Sequence, residues 1–400
     1  MKVLLLTQVL PYPPDSGPKV KTWNVLKYLA RNHEVTLVSF IRGDQSAEVN
    51  HLTKYCQAVY TVPLSREAWR DGWYMIQSLV TRRPFLMVRD DRAAMHQIIK
   101  QVTTQTQFDI VHVDQLNMAQ YAERITGAGK ILDAHNALWL LYKRLWETLA
   151  PGPKKWLLGR DWRLLKQYEG ELCRRFEGLL TVSKEDKAAL QEAAAQSLET
   201  TVIPIAIDTD EVVKVHRSAE ADHILHIGTM FWPPNIDGIL WFLREIFPLI
   251  RARRPETTFD LVGAKPPPEI MAYNGNSSGV NVTGYVVDPT PYYESTGVMV
   301  VPLRAGGGMR VKILNALAQG LPIVSTTLGY EGIDVEPNRH LLVADTAEAF
   351  AQATIALLEN KQLANELGHN GRQLIQSTYD YRAACRPLEA LYQQAIYTKP

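Results

Sequence analysis

The chain has 400 residues, a hydrophobic fraction of 46%, a charged fraction of 21% and a formal net charge of +1. This length predicts two or three domains, and the near-neutral balance disfavours a nucleic-acid-binding protein, which carries a basic excess. Three scattered cysteines exclude a disulfide framework, so we expect a cytoplasmic setting, and the apolar run at residues 3–6 is too short for a signal peptide or a membrane span.

The first half of the chain alternates short apolar segments with helical patterns. The segment KVLLLT is followed by a loop rich in proline and glycine, and then Val20, Trp23, Leu26 and Leu29 recur at helical spacing. Further strands are predicted at HEVTLVSF, DIVHVD, KILDAH and GLLTVS. Strands that alternate with helices predict parallel βαβ units, in which the strands are buried on both faces and are therefore apolar throughout.

Near residue 205 the pattern pauses and then begins again with HILHIG, TFDLVG, VNVTGY, GVMVVPL and PIVSTT as strands. We predict an α/β protein with two Rossmann-like, doubly wound domains that face each other across a cleft. Their predicted bounds are residues 1–205 and 206–379, and a C-terminal helix at about 380–400 is expected to pack back on the first domain. Ligands of such sheets bind beyond the carboxyl ends of the strands, so the loops at those ends are the places to search.

Two tryptophan-rich segments interrupt this alternation. REAWRDGWYMIQSLVTRRP has Trp69, Trp73, Ile76 and Val80 at helical spacing, and residues 138–176 mix four tryptophans with many basic residues. The simpler interpretation is that these helices pack an apolar stripe onto the domain. The alternative is a surface that rests on an anionic membrane, at the inner face of the cell membrane.

The stretch GGGMRVKILNALAQG combines glycines and cations at a helix start. Its members of interest are Gly306, Gly307, Gly308, Arg310 and Lys312. Residues 304–330 contain no Asp or Glu, although a helix N-terminus carries about half a positive charge and usually attracts acids. Exposed backbone N–H groups and two cations predict a bound anion, and a diphosphate fits best. The alternative is a flexible turn whose Arg and Lys point to water.

The same region resembles a known family. VPLRAGGGMRVKILNALAQGLPIVSTTLGYEGI resembles the C-terminal signature of family 4 glycosyltransferases, which are retaining enzymes with the two-domain GT-B fold, and it looks most like the branch often found in surface-polysaccharide clusters. GTMFWPPNIDGILWFLREIFPLIRARRPETTFDLVG, PYPPDSGPKVKTWNVLKYLARNHEVTLVSF and ILDAHN match that branch too. The likeness covers nearly the whole chain in the right order. It implies the fold and the broad chemistry but not the substrate.

The resemblance implies a donor site in the second domain. Arg310 and Lys312 would hold the donor diphosphate and stabilise it as the leaving group, which is often the largest catalytic contribution. Further donor-binding positions are implied at Gly17, Gly228, Thr229, Gly284, Tyr285, Val286, Gly306, Gly307 and Gly308. Among them, Gly17 would face the phosphates from the first domain, and the backbone at 284–286 would contact the base. Asn235 is either a helix N-cap or a donor contact.

The resemblance also implies groups on the acceptor side. His135, at the end of KILDAH, would orient the donor sugar or the acceptor, unless it is a packed histidine. Asn136 follows it, and His112 and Asp114 in VHVD are weaker candidates for acceptor contacts. Asp133 is expected to be a structural partner.

The family uses no metal ion, and we expect neither a metal nor a cofactor beyond the nucleotide-sugar co-substrate. The motif Asp208-Thr209-Asp210 resembles a metal-binding D-x-D, but its position near the domain junction favours a turn or an N-cap.

Two departures from the family pattern stand out. The family commonly has two glutamates eight positions apart, and here those positions are Gly307 and Asn315. The second glutamate would bind the ribose hydroxyls, and an uncharged amide makes the weaker hydrogen bond, so we expect weaker or altered ribose binding. IPIAIDTD also replaces the common IPNGVD. Glu331, the first acid after the gap, would face the sugar or serve a turn.

We therefore expect a retaining, metal-independent glycosyltransferase that moves a sugar from a nucleotide-diphosphate donor to a glycan, lipid-linked or small-molecule acceptor, with no nucleic-acid partner. One alternative is a non-catalytic partner that binds sugar nucleotides or glycans during polysaccharide assembly, with Asn315 marking lost catalysis. Another is a sugar-nucleotide epimerase with the same fold. The base, the sugar, the acceptor and the oligomeric state stay open.

Overall fold

A computed structural model describes residues 1–218, 221–306 and 308–398 of the chain. It divides into two compact units. Unit 1 comprises Met1–Ile205 together with the C-terminal residues from Ala384, and unit 2 comprises Ala206–Ala383. The predicted α/β class is confirmed, since each unit is a parallel sheet with helices.

The described part of unit 1 forms a seven-stranded parallel sheet in the order β3-β2-β1-β4-β5-β6-β7. Its strands are β1 Lys2–Thr7, β2 Glu34–Ile41, β3 Ala58–Pro63, β4 Ile110–Asp114, β5 Gly129–Asp133, β6 Gly178–Thr181 and β7 Thr201–Val202. The first nine helices are α1 Gly17–Leu29, α2 Ser46–Leu52, α3 Ala68–Thr81, α4 Phe85–Asp90, α5 Ala93–Gln105, α6 Ala119–Ala122, α7 Leu138–Thr148, α8 Pro153–Cys173 and α9 Lys184–Ala194. Strand order reverses direction between β1 and β4, which is where ligands bind in doubly wound sheets.

The described part of unit 2 forms a six-stranded parallel sheet in the order β10-β9-β8-β11-β12-β13. Its strands are β8 His223–Ile227, β9 Phe259–Val262, β10 Val280–Gly284, β11 Thr296–Val301, β12 Ile323–Ser325 and β13 Leu342–Val343. Its helices are α10 Pro233–Trp241, α11 Phe247–Arg253, α12 Pro268–Met271, α13 Thr290–Ser295, α14 Val311–Gln319, α15 Ala347–Glu359 and α16 Lys361–Leu374. Here the strand order reverses between β8 and β11.

The central strands are apolar because both faces of each sheet are covered. Val3–Leu6 of β1 and Val298–Val301 of β11 are fully buried, as expected for parallel strands between two layers of helices. The apolar runs read from the sequence are therefore core strands.

The chain ends with α17 Tyr381–Ala384 and α18 Pro387–Thr398. The second of these helices packs on β4, β5 and β6 of unit 1, and its Leu388, Tyr392 and Ala395 are fully buried. The chain thus returns to the first unit at Ala384, a few residues beyond the position of about 380 expected from the sequence.

The tryptophan-rich segments are only partly packed. In α7 the packing interpretation holds for Trp139, which is buried. It is wrong for α3, where Trp69 is 71% exposed, Trp73 is 63% exposed and Val80 is 78% exposed. Within the described residues, no helix is both long and apolar enough to cross a bilayer.

Candidate functional site

The candidate donor site lies at the strand-order reversal of unit 2. Gly228 and Thr229 directly follow β8, while Gly306, Gly308 and Arg310 lie in the loop between β11 and α14. The sheet brings these two loops to the same edge because β8 and β11 are adjacent parallel strands. Of the predicted residues in this loop, Gly307 lies outside the described residues.

Lys312 occupies the first turn of α14 and is held by neutral partners. Its Nζ lies 3.2 Å from Asn235 Oδ1 and 3.3 Å from His226 Nε2. The His226 Nδ1 lies 3.0 Å from the Val300 carbonyl oxygen, so we infer that Nδ1 carries the proton and Nε2 accepts from Lys312. No described carboxylate lies within ion-pair distance of Lys312 Nζ.

Burial of this ammonium group changes its acidity. Desolvation, reinforced by the positive charge of Arg310, lowers the pKa of Lys312 to about 7. Burial and the charge of Lys312 likewise hold the pKa of His226 well below its ordinary value. His226 is therefore neutral, Lys312 is only partly charged near neutral pH, and an anion close to its Nζ would favour the charged form.

Arg310 directly precedes α14 and is only 7% exposed. Its guanidinium carbon lies 5.5 Å from the centre of the Trp232 ring, in a cation–π contact. Gly306 has φ of 109°, and a Cβ built there would lie 3.0 Å from both Arg310 Nη2 and Trp232 Cη2. The loop thus packs closely on this arginine–tryptophan pair, which glycine permits and a larger residue would disturb.

Asn235 is not a helix N-cap, because α10 begins two residues earlier with Trp232 in the cap position. Its amide instead connects the two loops: Nδ2 donates to the Thr229 carbonyl oxygen at 2.7 Å, and Oδ1 accepts from Lys312. The N-cap interpretation is therefore wrong, and Asn235 positions Lys312. Gly228 is equally constrained, since a Cβ there would lie 2.7 Å from Lys312 Nζ.

The remaining predicted donor residues lie around this centre. Gly284 ends β10 with φ of 73°, Tyr285 just after it is largely exposed, and Val286 is half-buried. Asn315 lies three residues beyond Lys312 on the same, partly buried side of α14. Glu331 follows the short helix Leu328–Tyr330. Their contacts with a donor stay predictions.

A second polar cluster lies at the strand-order reversal of unit 1. His135 Nε2 lies 2.8 Å from Asp114 Oδ1, and the same carboxylate oxygen accepts from Thr22 Oγ1 at 2.8 Å. Asp114 ends β4 and pairs in register with Asp133, which ends β5. The Asp114 carboxylate thus acts through His135 and fixes the orientation of its ring.

Asp133 is confirmed as a structural partner. It forms a fully buried ion pair with Lys21 of α1. Burial by itself would raise the pKa of Asp133, but Lys21 and the neighbouring His112 and His135 hold it well below the usual range. The carboxylate therefore stays charged and ties the first helix to β5.

His112 is fully buried beneath this cluster. Its Nδ1 lies 2.6 Å from Tyr392 Oη of α18, and its Nε2 lies 3.5 Å from Asp133 Oδ2. This burial argues against the acceptor contact predicted for His112, whose position suits a link between Asp133 and the C-terminal helix. Asn136, by contrast, is exposed directly after His135, and Gly17 begins α1 with Pro18 behind it.

Among the described residues, the structure brings together one group of side chains that could hold a metal ion. The ligand atoms of Asp114, Asp133 and His135 lie within 4.8 Å of one another. In this arrangement Lys21 already neutralises Asp133, and a metal ion would have to displace that ammonium group. The D-x-D motif does not join them: Thr209 donates to Asp380 at 2.6 Å and Asp210 pairs with Arg382 at 2.6 Å, which fits the predicted turn.

Sequence reasoning missed several members of both clusters. His226 and Trp232 in unit 2 and Lys21 and Thr22 in unit 1 were not among the predicted site residues. The signals available were modest: His226 interrupts an apolar strand two residues before Gly228, and Lys21 lies on the buried side of a helix. Neither His226 nor Lys21 indicates a site until the fold places its hydrogen-bonding or ion-pair partner beside it.

Two family models match this chain. Residues 17–211 match the model described as Glycosyltransferase Family 4, and residues 221–360 match the model described as Glycosyl transferases group 1. The two matches follow one another along the chain in the order that the motifs indicate. Together they cover most of the chain. The chain belongs to the family 4 glycosyltransferases.

Similar proteins are known at low identity. An uncharacterized 44.6 kDa protein in the cps region of Klebsiella pneumoniae is 21% identical over 393 residues, covering 95% of this chain and 96% of that protein. Among solved structures, Anabaena HepE in complex with UDP has a TM-score of 0.68 at 15% identity, covering 98% and 100% of the two chains. Sucrose-phosphate synthase from Thermosynechococcus elongatus has a TM-score of 0.70 at 16% identity, covering 99% and 100%. These likenesses confirm the predicted GT-B fold.

Proposed function

We propose that this glycosyltransferase moves a sugar from a nucleoside diphosphate donor to a glycan or lipid-linked hydroxyl, with retention of configuration and without a metal ion. The observation that carries the proposal is the convergence of Arg310 and Lys312 at the start of α14, in a segment free of acids. Two cations beside backbone N–H groups and a helix dipole are the chemistry that suits a diphosphate.

In the proposed reaction the bond between the sugar's anomeric carbon and the diphosphate breaks, and a bond from that carbon to the acceptor oxygen forms on the same face. Arg310 and Lys312 stabilise the charge that develops on the departing diphosphate. The acceptor hydroxyl gives its proton to an oxygen of the leaving phosphate, so no protein base is required for that step.

The pair of His135 and Asp114 is proposed to orient the donor sugar or the acceptor. A proton on His135 Nε2 donates to Asp114 Oδ1, at 2.8 Å, and this leaves Nδ1 to accept from a sugar hydroxyl. The role of the Asp114 carboxylate here is positional, because it sets the tautomer and the ring angle of His135.

Two similarities support the choice of substrates. HepE is a solved neighbour that binds UDP, which favours a uridine nucleotide as the first donor to try. The Klebsiella relative is encoded in a cps region, which favours a growing polysaccharide or its lipid-linked precursor as acceptor. Both are proposals for this chain.

The test is a donor screen by thermal shift and calorimetry with UDP-, GDP-, ADP- and dTDP-sugars. The variant Arg310→Ala should weaken binding of the best nucleoside diphosphate by about ten- to a hundredfold, since a charge-assisted hydrogen bond contributes about 1.5–3 kcal/mol. The matched control is Arg304→Ala, which removes an exposed arginine of the same loop that pairs with Asp237 at 2.7 Å. Its affinity should stay unchanged.

Three outcomes decide among the functions. Binding to none of these nucleotides would sink the transferase proposal. Binding with neither transfer nor donor hydrolysis would favour the non-catalytic role, for which Asn315 in place of glutamate is the specific observation. Sugar turnover without release of a nucleoside diphosphate would favour an epimerase.

A further inference from the structure

Helix α3 carries an apolar stripe that faces away from the protein. At 3.6 residues per turn, Trp69, Trp73, Ile76 and Val80 fall within an arc of about 60°, and all four are exposed. Ser78 lies on the opposite side of the helix and is fully buried. The helix is therefore turned so that the side with Ser78 packs on unit 1 and the side with the apolar stripe meets solvent.

A second exposed apolar group lies on α7 and α8. Leu141 and Leu145 are one helical turn apart on α7, and Trp156 lies in the first turn of α8. Trp156 also lies one turn before Arg160, whose guanidinium donates to Ser78 Oγ of α3 at 3.1 Å. Since residues four apart share a helix face, Trp156 lies on the side of α8 that meets α3.

These side chains are treated below as one surface, called the tryptophan surface. Its members are Trp69, Trp73, Ile76, Val80, Leu141, Leu145 and Trp156. The α3 stripe is contiguous along the helix, and monomeric soluble proteins rarely expose a contiguous apolar patch unless it contacts a partner or a membrane. Both helical parts belong to unit 1.

The charge around the tryptophan surface indicates which partner it fits. Residues 138–166 contain seven Lys and Arg against two acids. One of those acids, Asp161, is buried, where its carboxylate accepts from the Phe85 N–H at 2.8 Å. Exposed tryptophans flanked by basic residues suit the boundary of a bilayer that carries anionic lipids, where the rings enter the headgroup region and the cations face the phosphates.

We propose that the tryptophan surface docks unit 1 on an anionic lipid bilayer, with α3 lying in the plane of the interface. The four-residue stripe supplies the apolar contact, and the basic segment at 138–166 supplies the attraction to the headgroups. The proposal is independent of the donor chemistry, because none of these residues belongs to the polar clusters of the candidate site.

The test uses co-sedimentation of the full chain with vesicles. Vesicles that contain phosphatidylglycerol should bind the chain at low salt, and vesicles of phosphatidylcholine alone should bind it at least about tenfold more weakly, since the cations add to the apolar attraction. High salt should weaken binding to the anionic vesicles for the same reason. Equal binding to both vesicle types would overturn the electrostatic part of the proposal.

Two variants test the surface itself. Trp69→Ser combined with Trp73→Ser should lower binding to anionic vesicles more than about tenfold, because two interfacial aromatic anchors are lost. Lys154→Gln, an exposed residue at the start of α8, should lower it less and reduce the salt dependence. The matched controls are Val287→Ser, which removes an 89% exposed apolar residue of unit 2, and Lys54→Gln, an exposed lysine outside the surface.

Further measurements distinguish membrane binding by this surface from misfolding and from self-association. All variants replace exposed residues, and an unchanged unfolding temperature would show that they fold. Unchanged vesicle binding by the double tryptophan variant would overturn the proposal. So would a dimer of the wild type in sedimentation velocity that this variant converts to a monomer, since the surface would then join two copies. Quenching of tryptophan fluorescence by brominated lipids in the wild type, lost in the double variant, would support it.

Discussion

Lys312 shares its ammonium group between two neutral acceptors, Asn235 Oδ1 and His226 Nε2. Neither partner compensates its charge, and desolvation lowers its pKa to about 7. If an anion binds here as proposed, we expect Lys312 to take up a proton with it. A surface lysine, with a pKa of about 10.4, would already be fully charged and would contribute no such coupling.

The first residue-scale prediction concerns pH. A bound diphosphate favours charged Lys312 and raises its pKa, so binding takes up a proton between pH 7 and about 10. Affinity for UDP should then fall by up to about tenfold per pH unit through this window, in which the phosphate itself does not titrate. Calorimetry in buffers of different ionisation enthalpy would measure the proton uptake. Lys312→Met should bind more weakly at neutral pH and lose this dependence; a pH profile shared by wild type and variant would contradict the assignment.

The second residue-scale prediction concerns Asn315. If this amide faces the ribose hydroxyls, Asn315→Glu should strengthen UDP binding, because a charged acceptor makes the stronger hydrogen bond. The gain should be smaller for 2′-deoxy-UDP, which lacks one of the hydroxyls. Titration of both nucleotides with both proteins measures the difference. An equal gain for the two nucleotides, or none, would mean that this side of α14 serves another purpose.

At the scale of elements, the loop between β11 and α14 packs against Arg310 and restricts the position of its side chain. Gly306 brings the backbone against the ring of Trp232 and the guanidinium of Arg310. From the sequence, the glycines and the cations were visible, and so was the helix that follows. The tryptophan beneath them was not, because it lies on a different strand-to-helix connection, more than seventy positions earlier.

This geometry gives an element-scale prediction. Gly306→Ala places a Cβ 3.0 Å from Arg310 Nη2 and strains a φ of 109°, so the arginine–tryptophan pair must shift. We expect UDP affinity to fall several-fold with the rest of unit 2 intact. Gly43→Ala is the matched control, since Gly43 also has positive φ, 68°, but open space around its Cβ position. If both substitutions leave UDP affinity unchanged, the loop does not support the arginine.

The strands and most helices could be predicted because their patterns are local. Buried parallel strands are apolar throughout, and α14 shows a clear helical spacing of apolar residues. The outward direction of the α3 stripe could not be predicted. Periodicity shows that a helix has an apolar side, but it does not show which way that side faces. Contacts such as that of Arg160 with Ser78 decide the direction, and they join positions far apart in sequence.

At the scale of the whole molecule, α18 makes unit 1 a discontinuous part of the chain. A Cβ at Gly129 would lie 2.8 Å from the Ala395 carbonyl oxygen, and Gly178 would similarly meet Leu391. The helix therefore lies directly against β5 and β6, and Tyr392 reaches His112. The sequence predicted a terminal helix. The close packing of this helix on the sheet depends on Gly129 and Gly178, which lie in strands that no local sequence pattern links to the helix.

A whole-molecule prediction follows for the C-terminus. Deleting residues 386–400 removes Leu388 and Tyr392 from the core of unit 1, and each such side chain contributes about 1.5–3 kcal/mol of burial. This is a large part of a typical stability of about 5–15 kcal/mol. Calorimetric unfolding should show unit 1 melting at a markedly lower temperature. The control Tyr397→Ser changes an 85% exposed residue of the same helix and should melt like the wild type; a truncated chain that did so too would contradict the role of α18.

The return of α18 to unit 1 also sets an order of events on the ribosome. Residues 206–383 must be synthesised after the first 205 before the last helix can emerge. At about 5–20 residues per second, this takes roughly ten to forty seconds. During that interval β5 and β6 lack their cover, and Asp133 has Lys21 but not the link through His112 to Tyr392. Unit 1, which begins the chain, therefore cannot complete its core until these last residues have been made.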